Sequence, residues 1–348
     1  MVTIGVDPHK DTHSAVAVDA LGRQVSERTR PAVMDGFGDL LAWARGLGLE
    51  RTWVIEDCRH VSGSFERFLL DHGESVVRLP PHLMAGARRS VRERGKSDPI
   101  DALAVARGAL EEGLETLPVA RLAEAELELR LLSLHHQRLV RQRTALINDL
   151  RWHLHDLWPE LKLATRSLTA LTLQTQLARR LARAGSSARV QIARDELRRI
   201  RDLTRSCNEL YRQLTRLVRQ TAPQLLAETG IGPVTAAQLI GEIAGIDRFA
   251  SDAKLARMAG CAPVPVSSGR TDRHRLDHGG NRQLNYTIHM IALTKLRHDP
   301  ATALYIAKQR QNGKTQREAI RSLKRYVARR VYQLLAAPQT VATTVCLT

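Results

Sequence analysis

The stretch Val2 to Val18, VTIGVDPHKDTHSAVAV, limits the folds open to this chain more than any other. Val2, Ile4 and Val6 alternate, Pro8 to Asp11 interrupt the pattern, and Ala15 to Val18 resume an apolar run, which predicts a hairpin of two strands. Asp7 then ends the first strand. A carboxylate there costs β-propensity and desolvation, and is tolerated best where a cation or water neutralises it. Three more acids stand where elements end or begin: Glu56 after the run Thr52 to Ile55, and Asp98 with Asp101 at the head of a helix. Gathered at one sheet end, Asp7, Glu56, Asp98 and Asp101 would supply the hard oxygen ligands of a divalent-metal site.

The chain around these acids alternates in a way that supports the gathering. Gln24 to Arg30 is a third strand before Pro31, and residues 34–48 form an amphipathic helix with Phe37, Leu40, Leu41 and Ala44 on one face. Thr52 to Ile55 is a short buried strand, Phe65, Phe68 and Leu69 lie on a helix, and Ser75 to Leu79 is a strand closed by Pro80 and Pro81. Leu83 to Arg92 is helical, Gly95-Lys96-Ser97 interrupts it, and Ser97 or Asp98 caps the next helix with Pro99 in its first turn. Three antiparallel strands followed by alternating helix and strand is an α/β order, and with acids at these places it is the arrangement of the ribonuclease-H-like fold. Asp98 and Asp101, three apart on a helix, share a face and can reach one metal pair. Two Mg²⁺ (or Mn²⁺) ions so held clamp the attacking and leaving oxygens of a phosphoryl displacement. Any one of these acids alone is more simply a cap or a surface charge. Asp11, Asp19 and Asp57 compete for the role, although Asp57 points away from Glu56 if the strand continues.

At 348 residues the chain is long enough for two or three domains. Hydrophobic residues make up 43% but aromatic ones only 4%, a composition of helices rather than of a β-sandwich. The formal net charge of +17 points to a polyanionic partner, most simply nucleic acid, with an anionic membrane surface fitting the sign equally well. Residues 1–120 hold 15 bases against 18 acids, 121–220 hold 20 against 10, and 264–348 hold 15 against 4. That division sets an acidic, metal-binding part before basic, polyanion-binding parts. Cys58, Cys207, Cys261 and Cys346 contain no C-x-x-C pair, which excludes a zinc knuckle and offers no disulfide framework. No apolar run approaches the ~20 residues of a membrane span and the N-terminus has no signal-peptide layout, so a soluble protein is expected. The scattered cysteines suit a reducing, cytoplasmic compartment, where a polyanion-binding protein is expected to be nucleoid-associated.

From Leu122 to Leu217 the chain becomes long and arginine-rich. Leu132, Leu139 and Leu146 repeat every seven residues, and Ile200, Leu203, Cys207, Leu210, Leu214 and Leu217 alternate steps of three and four. This is a coiled-coil seam, with Ala184 to Ser187 as the turn between arms, and association into a homo-oligomer, dimer or tetramer, is expected through it. Leu225 to Ile240 then matches a helix-hairpin-helix element, in which Gly230 and Gly232 let backbone N–H groups approach a phosphate. A plain packing element of the same sequence is the competing reading.

The last informative stretch is APVPVSSGR, residues 262–270, followed by TDRHRLDHGGNRQLN. Two prolines hold an extended approach and Gly269 frees a turn just after Ser267 and Ser268. A serine among Arg270, Arg273, Arg275 and Arg282 has the ingredients of a nucleophile at a phosphodiester, although alone this is an ordinary loop.

Taken in order, GVDPHKDTH, VIE, KSDPIDA, GIGPVTA, APVPVSSGR and GGNRQLN together resemble the transposases of the insertion-sequence-110 family, over about residues 2–335. The resemblance implies a RuvC-like D-E-D-D domain over 1–118, a coiled-coil dimerisation region over 119–220, a mainly helical transposase domain over 221–337 whose serine attacks DNA, and a tail over 338–348. It further implies donor and target DNA as substrates and a bridge RNA as guide. Three alternatives stay open: a RuvC-like metal-dependent structure-specific nuclease with no serine step, tyrosine recombination through Tyr286, Tyr305, Tyr326 or Tyr332, and a non-enzymatic nucleic-acid scaffold.

Overall fold

The structure, a computed structural model, describes the chain apart from residues 57, 58, 80–82, 84–97, 118, 121–123, 165, 269, 270, 276–279 and 338–348; of 59–61, 265, 267, 268 and 271–275 it describes the backbone alone. The helix expected over 83–92, the Gly95-Lys96-Ser97 break, Asp57, Arg270 and the tail therefore lie outside, or almost wholly outside, the described residues.

By packing, the chain divides into two compact units, each made of two stretches: Met1–Ala123 with Ile246–Arg282, and Glu124–Gly245 with Gln283–Thr348. The first unit is built on the strands β1 (Val2–Pro8), β2 (Thr12–Val18), β3 (Gln24–Pro31), β4 (Arg51–Glu56) and β5 (Val76–Leu79). They form one sheet in the order β3-β2-β1-β4-β5. The first three are antiparallel neighbours, whereas β4 joins β1 and β5 joins β4 in parallel. A parallel pair needs a crossover, and α1 (Met34–Arg45) and α2 (Arg59–Asp71) supply the two required here.

Strand alternation gives the sheet two different faces. Ile4, Val6, Ala15, Trp53 and Ile55 form one core with Phe37, Leu40 and Ala44 of α1 and Phe65 and Leu69 of α2. The other face is covered by α3 (Asp98–Glu112), whose Ala102, Ala104, Ala106 and Ala109 are buried. The small side chains have a geometric reason. A Cβ on Gly5 of β1 would stand 2.2 Å from the Ala102 carbonyl oxygen and 2.4 Å from the Ala106 nitrogen, so α3 lies with its backbone directly on β1. Only a residue without a side chain permits that approach.

The second unit is helical. Two 34-residue helices, α4 (Glu124–Leu157) and α6 (Ala188–Thr221), pack on each other with α5 (Leu171–Ala182) against α6. Arg183 to Ser187 make the expected turn, and Ser187 caps α6 by accepting from the Val190 N–H. The buried positions of α6 depart from the expected seam. Ile200, Cys207 and Leu214 are buried as expected, but Thr204 and Val218 take the places foreseen for Leu203 and Leu217, and Leu203, Leu210 and Leu217 are half-buried. The Thr204 hydroxyl is satisfied inside the core, donating to the Ile200 carbonyl (2.7 Å) and accepting from Gln174 Nε2 of α5 (3.1 Å). A polar residue so partnered can be buried at little cost.

After α6 come a short 3₁₀ turn (Pro223–Ala227) and α7 (Pro233–Ile243). Helices α9 (Arg282–His298), α10 (Pro300–Gln311) and α11 (Gln316–Ala336) follow the first unit's short α8 (Asp252–Met258). Glu228 ties the turn before α7 to α9 and α11 through Lys295 (2.5 Å) and Arg330 (2.7 Å).

Candidate active site

Asp7 and Glu56 end adjacent parallel strands. Val6 is in register with Ile55, so the two acids follow side by side, and alternation puts both on the face covered by α3. Asp98 and Asp101 occupy the first turn of α3. The contact at Gly5 is what brings that turn to Asp7, two residues further along the same face of β1. Asp7 and Asp101 are buried, whereas the Asp98 side chain is half-exposed.

The structure adds a residue that the acid pattern does not contain. His9 Nε2 lies 3.1 Å from Asp7 Oδ2 and 3.2 Å from Asp98 Oδ1, and one ligand atom from each of the three residues fits within 4.8 Å of the others. Its only signal in the sequence is its place, two residues beyond Asp7. Burial pushes the Asp7 carboxyl above the ordinary carboxylate range; His9 pulls it down, and Asp101 and Asp98 push it further up. Asp7 Oδ2 is buried and has no hydrogen bond of good geometry, the nearby imidazole being misaligned with it. A buried carboxylate oxygen left this way, among further acids, is suited to a cation. Of the competing acids, Asp19 is accounted for by its turn, where Oδ1 accepts from the N–H groups of Leu21 (2.9 Å) and Arg23 (2.8 Å).

The serines stand in a hairpin rather than a plain loop. β6 (Val264–Ser268) pairs antiparallel with β7 (Thr271–Arg275), with Ser267 opposite Asp272 and Ser268 opposite Thr271. Arg273 and Arg275 lie on β7, and Arg282 is an exposed residue at the start of α9. This hairpin belongs to the same compact unit as the acids. Gly230, at φ +88°, packs on α9, where a Cβ would stand 3.1 Å from the Ile291 carbonyl. Both the positive φ and the close approach to α9 favour glycine here. Gly232 caps α7 and is held by Thr235, whose Oγ1 accepts the Gly232 N–H at 2.9 Å.

The class of the protein follows from a family match over the sheet and its acids: residues 4–159 match a transposase family named for its D-E-D-D acids and the element IS110. Residues 222–307 match the transposase family of IS116, IS110 and IS902. The chain belongs to the IS110 family of insertion-sequence transposases. It is 28% identical to a 44.8 kDa protein of the insertion element IS116 from Streptomyces clavuligerus, over 93% of this chain and 92% of that protein. Shorter matches join it to proteins of two further elements. They are IS110 of Streptomyces coelicolor (38% identical over 30% of this chain and 26% of that one) and IS900 of Mycobacterium paratuberculosis (32% over 29% and 26%). Its substrate is therefore DNA. Among the described residues no helix is long and apolar enough to cross a membrane.

Proposed function

We infer that this transposase cuts and rejoins DNA through a serine nucleophile assisted by a divalent-metal site of RuvC-like, ribonuclease-H-like design. The observation that carries the reading is the convergence at Asp7, whose buried, unsatisfied oxygen faces acids drawn from a second segment of the chain. The strand order β3-β2-β1-β4-β5, with three antiparallel strands first, supports the ribonuclease-H-like assignment. Asp7, Glu56, Asp98 and Asp101 would hold Mg²⁺ or Mn²⁺, and the ion, when bound, supplies charge stabilisation at the phosphate and polarises an attacking oxygen.

Ser268, or else Ser267, is the proposed nucleophile. Its Oγ forms a bond to phosphorus as the bond from phosphorus to the neighbouring nucleoside oxygen breaks, the hydroxyl proton passing to that oxygen or to water. The resulting ester conserves the bond energy until a DNA hydroxyl attacks it and restores the serine. Arg270, Arg273, Arg275 and Arg282 would bind the phosphate charge, and Gly230 and Gly232 the backbone of nucleic acid. The functional division over 1–118, 119–220 and 221–337, the association of copies through the long helices, and guidance by a bridge RNA from the same element complete the reading. The net charge of +17 supports an RNA partner as well as DNA, and sequencing the nucleic acid that co-purifies identifies it.

The test is recombination in vitro with Asp7→Ala and Asp101→Ala. Both are expected to abolish strand cleavage while circular dichroism stays that of the parent, and EDTA to do the same to the parent. Full activity in EDTA would overturn the metal site.

A further inference from the structure

We propose that His9 is itself a ligand of the metal held by Asp7 and Asp98, which puts one nitrogen donor among the carboxylate oxygens. The proposal rests on the metal-site reading above. His9 is held by the hairpin: its backbone N–H donates to the Thr12 carbonyl at 2.9 Å, and Pro8, just before it, is in register with His13. The imidazole is thereby delivered between an acid of β1 and an acid of α3. Ligands at right angles about a small divalent ion, with bonds of about 2.0–2.2 Å, lie roughly 3 Å apart. The distances of 3.1 and 3.2 Å from Nε2 to Asp7 Oδ2 and Asp98 Oδ1 are of that size.

Hydrogen bonding alone accounts less well for the arrangement. Nε2 carries at most one proton, which can serve one carboxylate well, and Asp7 Oδ2 is buried with no aligned donor. A shared cation satisfies all three atoms together. His13, the other described histidine of this hairpin, is packed in the opposite core, stacked on Phe37. An imidazole nitrogen also has a chemical consequence. It is a better donor to later first-row ions than to magnesium, so the site would favour Mn²⁺ over Mg²⁺ more than four carboxylates do.

The experiment uses Mn²⁺ and the full-length protein, read by electron paramagnetic resonance. Pulsed measurements on the Mn²⁺-loaded parent should show ¹⁴N coupling that becomes ¹⁵N coupling after labelling with ¹⁵N-histidine and vanishes in His9→Ala. Titration should show Mn²⁺ bound at least about tenfold more weakly by His9→Ala, the scale of loss known even for outer-shell partners, with Mg²⁺ affinity changing less. The His9 side chain is half-exposed, so the variant should keep its fold. Mn²⁺ bound by the parent and lost in Asp7→Ala, but without nitrogen coupling, would overturn the role of His9 and leave the acids in place. Coupling that persists in His9→Ala would do the same. No Mn²⁺ binding by the parent would overturn the metal site and this proposal with it.

Discussion

Two buried polar residues of the first hairpin show how alternation sorts chemistry from packing. Asp7 faces α3 and the other acids, whereas His13 faces the aromatic core, its ring 5.4 Å from Phe37 and 5.2 Å from Phe65. Burial lowers the His13 pKa, with the Nδ1 contact to the Thr12 carbonyl opposing and the nearby His9 adding to the fall. Below the ordinary histidine range the unfolded chain then binds the proton more readily than the folded one. Stability contributed by the neutral ring is thus present near pH 7 and lost as pH falls below about 6.5. Urea denaturation at pH 7, 6 and 5 should show stability falling in that window, with a shallower fall in His13→Leu. An unchanged slope in the variant would assign the pH dependence to other groups. Neither histidine has a role legible in the sequence. The His9 contacts depend on the closure of the Pro8 to Asp11 turn, which no periodicity describes.

Among the elements, α3 on β1 decides whether a site exists at all. Gly5→Ala would drive a methyl into the Ala102 carbonyl and Ala106 nitrogen, so α3 must shift and take Asp98 and Asp101 with it. Overpacking of this kind costs about 1–3 kcal/mol. Chemical denaturation should show that loss together with weaker Mn²⁺ binding, and parent-like stability would contradict the close packing. On α6 the half-buried row Leu203, Leu210 and Leu217 flanks the buried one. If copies associate through that row, Leu210→Glu should fold as the parent does but run at lower mass in light scattering, because a charge in an interface is costly. Parent-like mass would make the row plain surface. The succession of strands and helices along the first unit was legible, and α1 most clearly, because Phe37, Leu40, Leu41 and Ala44 keep a helical period. The α6 register was legible only in Ile200, Cys207 and Leu214. Leucine pulled the expected seam to Leu203 and Leu217, whereas Thr204 is buried because Gln174, thirty residues away, satisfies it. The break between α4 and α5 went unread although Pro159 marks it.

At the scale of the whole molecule, the compact units do not follow the order of the chain. The hairpin with Ser267 and Ser268 is more than 160 residues beyond the last acid, yet it packs as part of the same unit as the sheet. The proposed mechanism requires acids and serine to serve one reaction, whereas a nuclease would use the acids alone. The bases concentrated outside residues 1–120 would hold the polyanion, and the acidic part the metal. The most direct measurement is a trapping reaction: full-length protein, Mg²⁺ and a nicked DNA substrate that cannot rejoin, resolved on a denaturing gel. A protein–DNA adduct is expected for the parent and for Ser267→Ala, and none for Ser268→Ala or for the double variant. An adduct that survives in Ser267→Ala combined with Ser268→Ala would contradict the serine mechanism and move the nucleophile elsewhere, first to a tyrosine such as the half-exposed Tyr286 or Tyr326.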